Sequence, residues 1–336
     1  MDLQSAHFQE HFDTSVPGAW QRLVVQARAW PGPVVLSHEL FSMADAAMAA
    51  HALRDLEWAE VHVVHTARDL GRQIPAVWQE DVKNRQVLSF SEFAGQLRTT
   101  CPDSHFLANL FWRLQDFPRV LAVWAAHLPP ERVHLVTVPP RGAPPDELWT
   151  RFAGAIGLDR DACDLSLARN TNASMGLAET NLLRRLNRAL IEDFDWPSYD
   201  ALIKDYLAIE VLGGRDGRVP LNLPGSDYDW VRERSLDMVR TVQEAGYRVF
   251  GDLDDLTPAA PRPDTRHPDQ PTEAEVLDSA VHALASLLRQ ARDQRAPDQP
   301  AWRQATIRLS QRHAALRQLR HGYLSSKARL SGRRGR

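Results

Sequence analysis

Three short runs rich in β-branched residues mark the first half of the chain: 33–37 (PVVLS), 60–66 (EVHVVHT) and 132–138 (RVHLVTV). Each is followed by a stretch whose apolar residues recur at helical spacing, over 44–56, 69–83 and 145–156. Strands alternating with helices of ten or more residues predict βα units and a parallel sheet, hence an α/β fold in three layers. Between the second and third strands, residues 91–128 read as a helical insertion. Its aromatic and leucine stripe (Phe93, Leu97, Phe106, Phe111, Leu121, Trp124) has the period of a core-facing helix surface. From Gly176 a further helix places Leu177, Leu183, Leu186 and Leu190 on one side, more helices follow to Gly246, and an extended piece at 247–253 (YRVFGDL) closes the body.

The pattern then changes. Residues 256–271 (LTPAAPRPDTRHPDQP) hold five prolines and predict an extended linker. After it, Leu277, Val281, Leu284, Leu288 and Ala291 step by four and three. Trp302, Leu309, Leu316 and Tyr323 step by seven. These periods predict a coiled-coil-like helical hairpin over 272–325, turned at 296–300. Its apolar stripe needs a partner: the hairpin itself, the body, or a second copy of the chain in a homodimer. The expected organisation is an α/β domain over 1–255, the linker, the hairpin, and a basic, frayed or disordered tail over 326–336.

Composition sharpens this picture at three points. The formal net charge of −3 hides a last stretch from Arg303 with ten Arg or Lys and no acid, which leaves the rest of the chain acidic. A solvated basic tail on an acidic body, with little aromatic interleaving, argues against nucleic acid as a partner. Cys101 and Cys163 are far apart and lack further Cys or His at ligand spacing, so no metal is expected and buried free thiols are. No apolar run reaches the ~20 residues of a membrane span, and the first ten residues lack the layout of a secretion signal, so a cytoplasmic protein without a membrane span is expected.

In an open parallel sheet, ligands sit beyond the carboxyl ends of the strands. That rule gathers Ser37, His38 and Glu39 after the first strand, Thr66, Arg68 and Asp69 after the second, and residues 139–141 after the third. Arg68 falls between a strand end and a helix start, where an anion would meet a guanidinium fork and the positive helix terminus together. The alternative is an internal pair with Asp69 or Glu39. His38 and Glu39 are the candidate catalytic groups, as base or as partner orienting an arginine, each with a structural alternative.

Taken in order, SHExF (37–41), TARDxxRQxPAxWQExVK (66–83), FWxxQD (111–116), LPxERVHLVTVPPxGAPxxxLWxRF (128–152), a loop with Arg169, Asn170 and Ser174, and GLAETNLLRRLN (176–187) resemble a bacterial sulfotransferase-family protein of the P-loop type. The resemblance spans about residues 19–256. It implies a P-loop-like fold and 3′-phosphoadenosine 5′-phosphosulfate as sulfuryl donor, with a small-molecule or glycan acceptor bearing a hydroxyl or amine. The family grips the donor's 3′-phosphate with an Arg and, eight residues later, a Ser. Arg68 matches the first, Ala76 stands at the second, and Arg72 or Gln73 would have to substitute. Residues 213–218 (GGRDGR) correspond to a late phosphate-wrapping loop. The family's Lys-Thr-Gly-Thr-Thr-like loop, which follows a central strand, has no counterpart: Lys83, Lys204 and Lys327 all lie outside Gly-rich turns. A sheet position left open is therefore expected. Two readings stand side by side, a donor-dependent sulfotransferase and a non-catalytic relative that binds or scaffolds through its C-terminal hairpin.

Overall fold

The computed structural model describes residues 18–99, 105–165, 174–190 and 193–295. Helices α1 (Ala19–Ala29) and α2 (Ala46–Asp55) precede strand β1 (Val63–Ala67). Helices α3 (Leu70–Lys83), α4 (Phe90–Arg98), α5 (Phe106–Gln115) and α6 (Phe117–Ala125) lead to β2 (Val133–Thr137). Then come α7 (Glu147–Ala155), α8 (Leu177–Leu190), the short α9 (Trp196–Tyr199), a π-helix (Asp200–Leu212), α10 (Gly225–Ala245), β3 (Arg248–Phe250) and α11 (Glu273–Arg295). The protein is α/β, mostly helical, around a three-stranded parallel sheet in the order β1-β2-β3.

Side-chain oxygens at the helix starts explain several boundaries. Asp45 caps α2, Asp69 caps α3 and Asp116 caps α6, each accepting from the backbone N–H three residues on. Ser89 and Glu92 form a reciprocal capping box at α4. The helical insertion lies where its periodicity predicts, with Phe90, Phe93, Phe111 and Leu121 buried, although Phe106 is 63% exposed.

β2 runs in the middle of the sheet and is buried along all five residues. Its register pairs Val63 with Val133 through Ala67 with Thr137, and His134 with Arg248 through Val136 with Phe250. Helix α6 packs on β1 and β2, and α7 on β2 and β3. The expected strand at 33–37 does not form. The segment carries no strand pairing, and Val34 and Val35 are 43% and 55% exposed. Pro33 brings no N–H to a ladder, and the run's apolar character does not supply the partner edge that a strand needs.

The proline-rich segment after β3 lies against the body and holds two hydrogen-bonded turns, in which the Thr265 N–H donates to the Arg262 carbonyl and the Gln270 N–H to the His267 carbonyl. Asp269 accepts from the N–H groups of Phe90 and Ser91 at 2.7 and 2.9 Å, and from the Ser91 hydroxyl, at the start of α4. Asn181 donates to the Pro268 carbonyl, and His267 meets the Phe90 ring edge-on. A Cβ on Gly71 would come within 2.7 Å of Pro258, so only glycine lets the segment pass α3 this closely. The chain divides into two compact units, the first ending at Ser279 and the second beginning at Ala280. The second arm of the expected hairpin and the basic tail lie outside the described residues.

Candidate functional site

The turn from β1 into α3 is set by Asp69, whose carboxylate accepts from the Arg72 N–H at 2.9 Å and pairs with the Arg72 guanidinium. Arg72 also donates to the carbonyls of Pro139, at 2.8 Å, and Val138, at 3.1 Å. Its fork therefore ties the exit of β1 to the exit of β2. Arg68, one residue before the cap, is half-buried and makes no hydrogen bond or ion pair with any described residue. Burial lowers its pKa first, the Arg72 charge next and Arg141 to a smaller degree, against the opposing pull of Asp69. Three guanidiniums thus share one end of the sheet, above the N-terminus of a 14-residue helix.

Beside this rim, a cavity of about 1210 Å³ runs along the outer edge of β1. Residues 60–66 form one wall and residues 32–39 another, with Trp20, Trp58 and Trp124 among the apolar lining. The indole N–H groups of all three are held within the protein, by Asp55 for Trp20 and Trp58 and by the Phe41 carbonyl for Trp124. The sheet has no gap at its centre, since β1 pairs directly with β2. Among the described residues no strand pairs with the outer edge of β1, along which this cavity runs.

The five expected site residues fall into two groups. His38, Glu39 and Gln73 line the cavity, with Ser37 and Thr66. Arg68 and Arg72 occupy the strand exits. His38 is exposed, and its Nδ1 accepts from the Leu40 N–H at 3.1 Å, capping the 3-10 turn Glu39–Met43. Ser174 is exposed, while Arg169 and Asn170 lie outside the described residues. In the 213–218 loop, Arg215 binds Glu179, Asp278 and the Ser279 hydroxyl, and Arg218 donates to the Arg215 carbonyl, so both arginines serve internal bonds. Cys163, expected to be buried, is exposed, because it follows the surface turn Arg160–Ala162; Cys101 lies outside the described residues.

Two polar clusters and one histidine were not foreseen. At the exit of β2, Arg151 binds Glu147, Asp255 and both oxygens of Thr137, and Asp255 also accepts from the Thr137 hydroxyl at 2.9 Å. At the opposite end of the sheet, Glu60, His62 and His134 form a chain with contacts of 2.9 and 2.8 Å, the two imidazoles stacked. His65, on the cavity wall, is held neutral: burial and then the Arg119 charge lower its pKa to about 4. The hydrophobic period locates these strands but carries no information about partners 72 or 104 residues away.

Among the described residues, no group of three or more His, Cys, Asp or Glu is placed to hold a metal ion, and no helix is long and apolar enough to cross a membrane. Comparison with protein-family models, with curated proteins and with solved structures found no match.

Proposed function

We propose that the protein is a sulfotransferase-like, P-loop-related α/β protein that takes a phosphorylated nucleotide donor at the rim and an acceptor in the adjoining cavity. The observation that carries this reading is Arg68: a half-buried guanidinium without a partner among the described residues, flanked by Arg72 and Arg141, over a helix N-terminus. Such a site attracts a dianionic phosphate more strongly than a surface arginine does, because neighbouring cations and burial make an added anion favourable. Arg72 is engaged with Asp69 and two carbonyls, so its contribution is charge and the position of the turn rather than a free fork. Ala76 is exposed and offers no hydroxyl, which leaves Arg141 or Gln73 as the second contact for the 3′-phosphate of 3′-phosphoadenosine 5′-phosphosulfate.

In the reaction, the acceptor oxygen or nitrogen attacks sulfur in line while the bond from sulfur to the bridging phosphate oxygen breaks. The products are a sulfated acceptor and adenosine 3′,5′-bisphosphate. The acceptor's proton passes to His38 or Glu39, which line the cavity that would hold it. Position and charge supply most of the catalysis, as in phosphoryl transfer.

One observation favours binding without turnover. Lys83 is buried and paired with Glu80, and Lys204 reaches Asp200, so neither is available to stabilise a transferring group. Incubation with the sulfuryl donor and a mixed panel of alcohols, phenols and amines, read by release of adenosine 3′,5′-bisphosphate, tests transfer. Release that falls at least tenfold in His38→Ala or Glu39→Gln supports it. No release, with the bisphosphate still bound, leaves the binding role alone standing.

A further inference from the structure

The cavity along β1 changes character from one end to the other. Thr66 and Gln73 line it beside the Arg68 rim, and His62, His134 and Arg248 line it at the opposite end of the sheet. Val64 stands between them, and Phe152 and Ala155 of α7 add apolar wall. The register sets Val64, His134 and Arg248 side by side, so all three point to the same face of the sheet. From His62 to Thr66 the extended chain rises about 13 Å, the length of a chain of roughly ten carbons.

Charge at the far end is not balanced within the chain. Glu60 is paired with His62 at 2.9 Å and with Arg132 at 3.6 Å. Arg248 is exposed, lies over the Phe250 ring and makes no hydrogen bond or ion pair with any described residue. His134 is 2% exposed, and its Nδ1 has no partner among the described residues. The Glu60 carboxylate accepts from His62 Nε2, so with both rings neutral His62 Nδ1 accepts from His134 Nε2, and His134 Nδ1 is left a bare acceptor. One further proton on the pair makes His62 a double donor and moves the His134 proton to Nδ1, where it needs an acceptor. An anion is the guest that makes this state favourable. Glu60, Arg132 and Arg248 are the charged groups around the pair.

We propose that the far end of the cavity is a carboxylate subsite, and that the cavity takes an elongated apolar hydroxy acid or amino acid. Its carboxylate lies at Arg248 and His134, its apolar body along Val64 and α7, and its hydroxyl or amine beside Thr66 and Gln73 at the rim. That this guest is the acceptor rests on the function proposed above; that it binds does not.

Calorimetric titration of the full chain with ω-hydroxydodecanoate, in the absence of any nucleotide, is expected to give saturable binding. Arg248→Ala should weaken it about tenfold or more, the loss of one charge-assisted contact. The diol of the same length should bind less tightly and be indifferent to that substitution. Because the carboxylate of the probe is ionised throughout, affinity that rises between pH 8 and pH 6 reports the proton taken up by the imidazole pair, and His62→Phe should abolish the rise. Failure of the wild type to bind the acid contradicts the proposal, as does unchanged affinity in Arg248→Ala or an equal loss for acid and diol. Binding of the acid by a protein that does not bind adenosine 3′,5′-bisphosphate upholds the subsite and contradicts the sulfotransferase reading instead.

Discussion

Two arginines stand at neighbouring strand exits and live in opposite surroundings. Arg151, at the end of β2, has its donors spent on Glu147, Asp255 and Thr137; burial alone would lower its pKa, but the hydrogen bonds to Asp255 and Glu147 raise it. Arg68, at the end of β1, has no such bonds among the described residues, and burial together with Arg72 lowers its pKa. A saturated buried cation holds a fold together, and removing it strands its partners. An unsaturated one costs stability in the free protein and is positioned to gain an anion.

The comparison is broken most forcefully at its saturated side. Arg151→Ala leaves Asp255, 12% exposed, without its cation and is expected to cost about 3–5 kcal/mol of unfolding free energy in urea. Arg68→Ala should leave stability unchanged or raise it. Equal losses in the two variants would remove the distinction. Gly251→Ala should approach the Arg151 effect, roughly 3 kcal/mol, because its φ of +115° and a Cβ placed 2.1 Å from the Thr137 hydroxyl both oppose a side chain.

Other buried groups sharpen the contrast through pH. Burial and then Glu80 raise the Asp81 carboxyl to about 7 from 3.8. The native state therefore holds this proton more tightly than the unfolded chain, and that advantage disappears as pH climbs from about 4 to 7. Asp81→Asn should stabilise by up to about 4 kcal/mol at pH 8 and by almost nothing at pH 4. His65 has the opposite sign. Its depressed pKa makes the unfolded chain the better proton binder, so stability should fall by about 3 kcal/mol as pH drops from 6.5 to 4, and His65→Gln should flatten that slope. Urea titrations at each pH check both.

How much of this was legible in the sequence follows from the range of each interaction. β1, β2 and α3 lie within a few residues of their predicted places because period and capping residues such as Asp69 are local signals. The run at 33–37 has the same local character and forms no strand, since pairing depends on an edge elsewhere in the chain. Arg68 falls at a strand exit as expected, but its lack of a partner among the described residues and Arg72's ties to 138 and 139 are not readable from spacing. The Thr137, Arg151 and Asp255 cluster joins residues from three segments, and the prolines of 256–271 announced an extended chain without announcing that Asp269 docks it on α4.

The account rests most directly on Arg68 as a ligand-binding residue. Calorimetric titration of the full chain with adenosine 3′,5′-bisphosphate should give saturable binding, weakened at least tenfold in Arg68→Ala, a loss of about 1.5–3 kcal/mol in keeping with one charged hydrogen-bonding partner. Arg151→Lys, if folded by circular dichroism, should bind as the wild type does. No binding by the wild type, or equal affinity in Arg68→Ala, would contradict it.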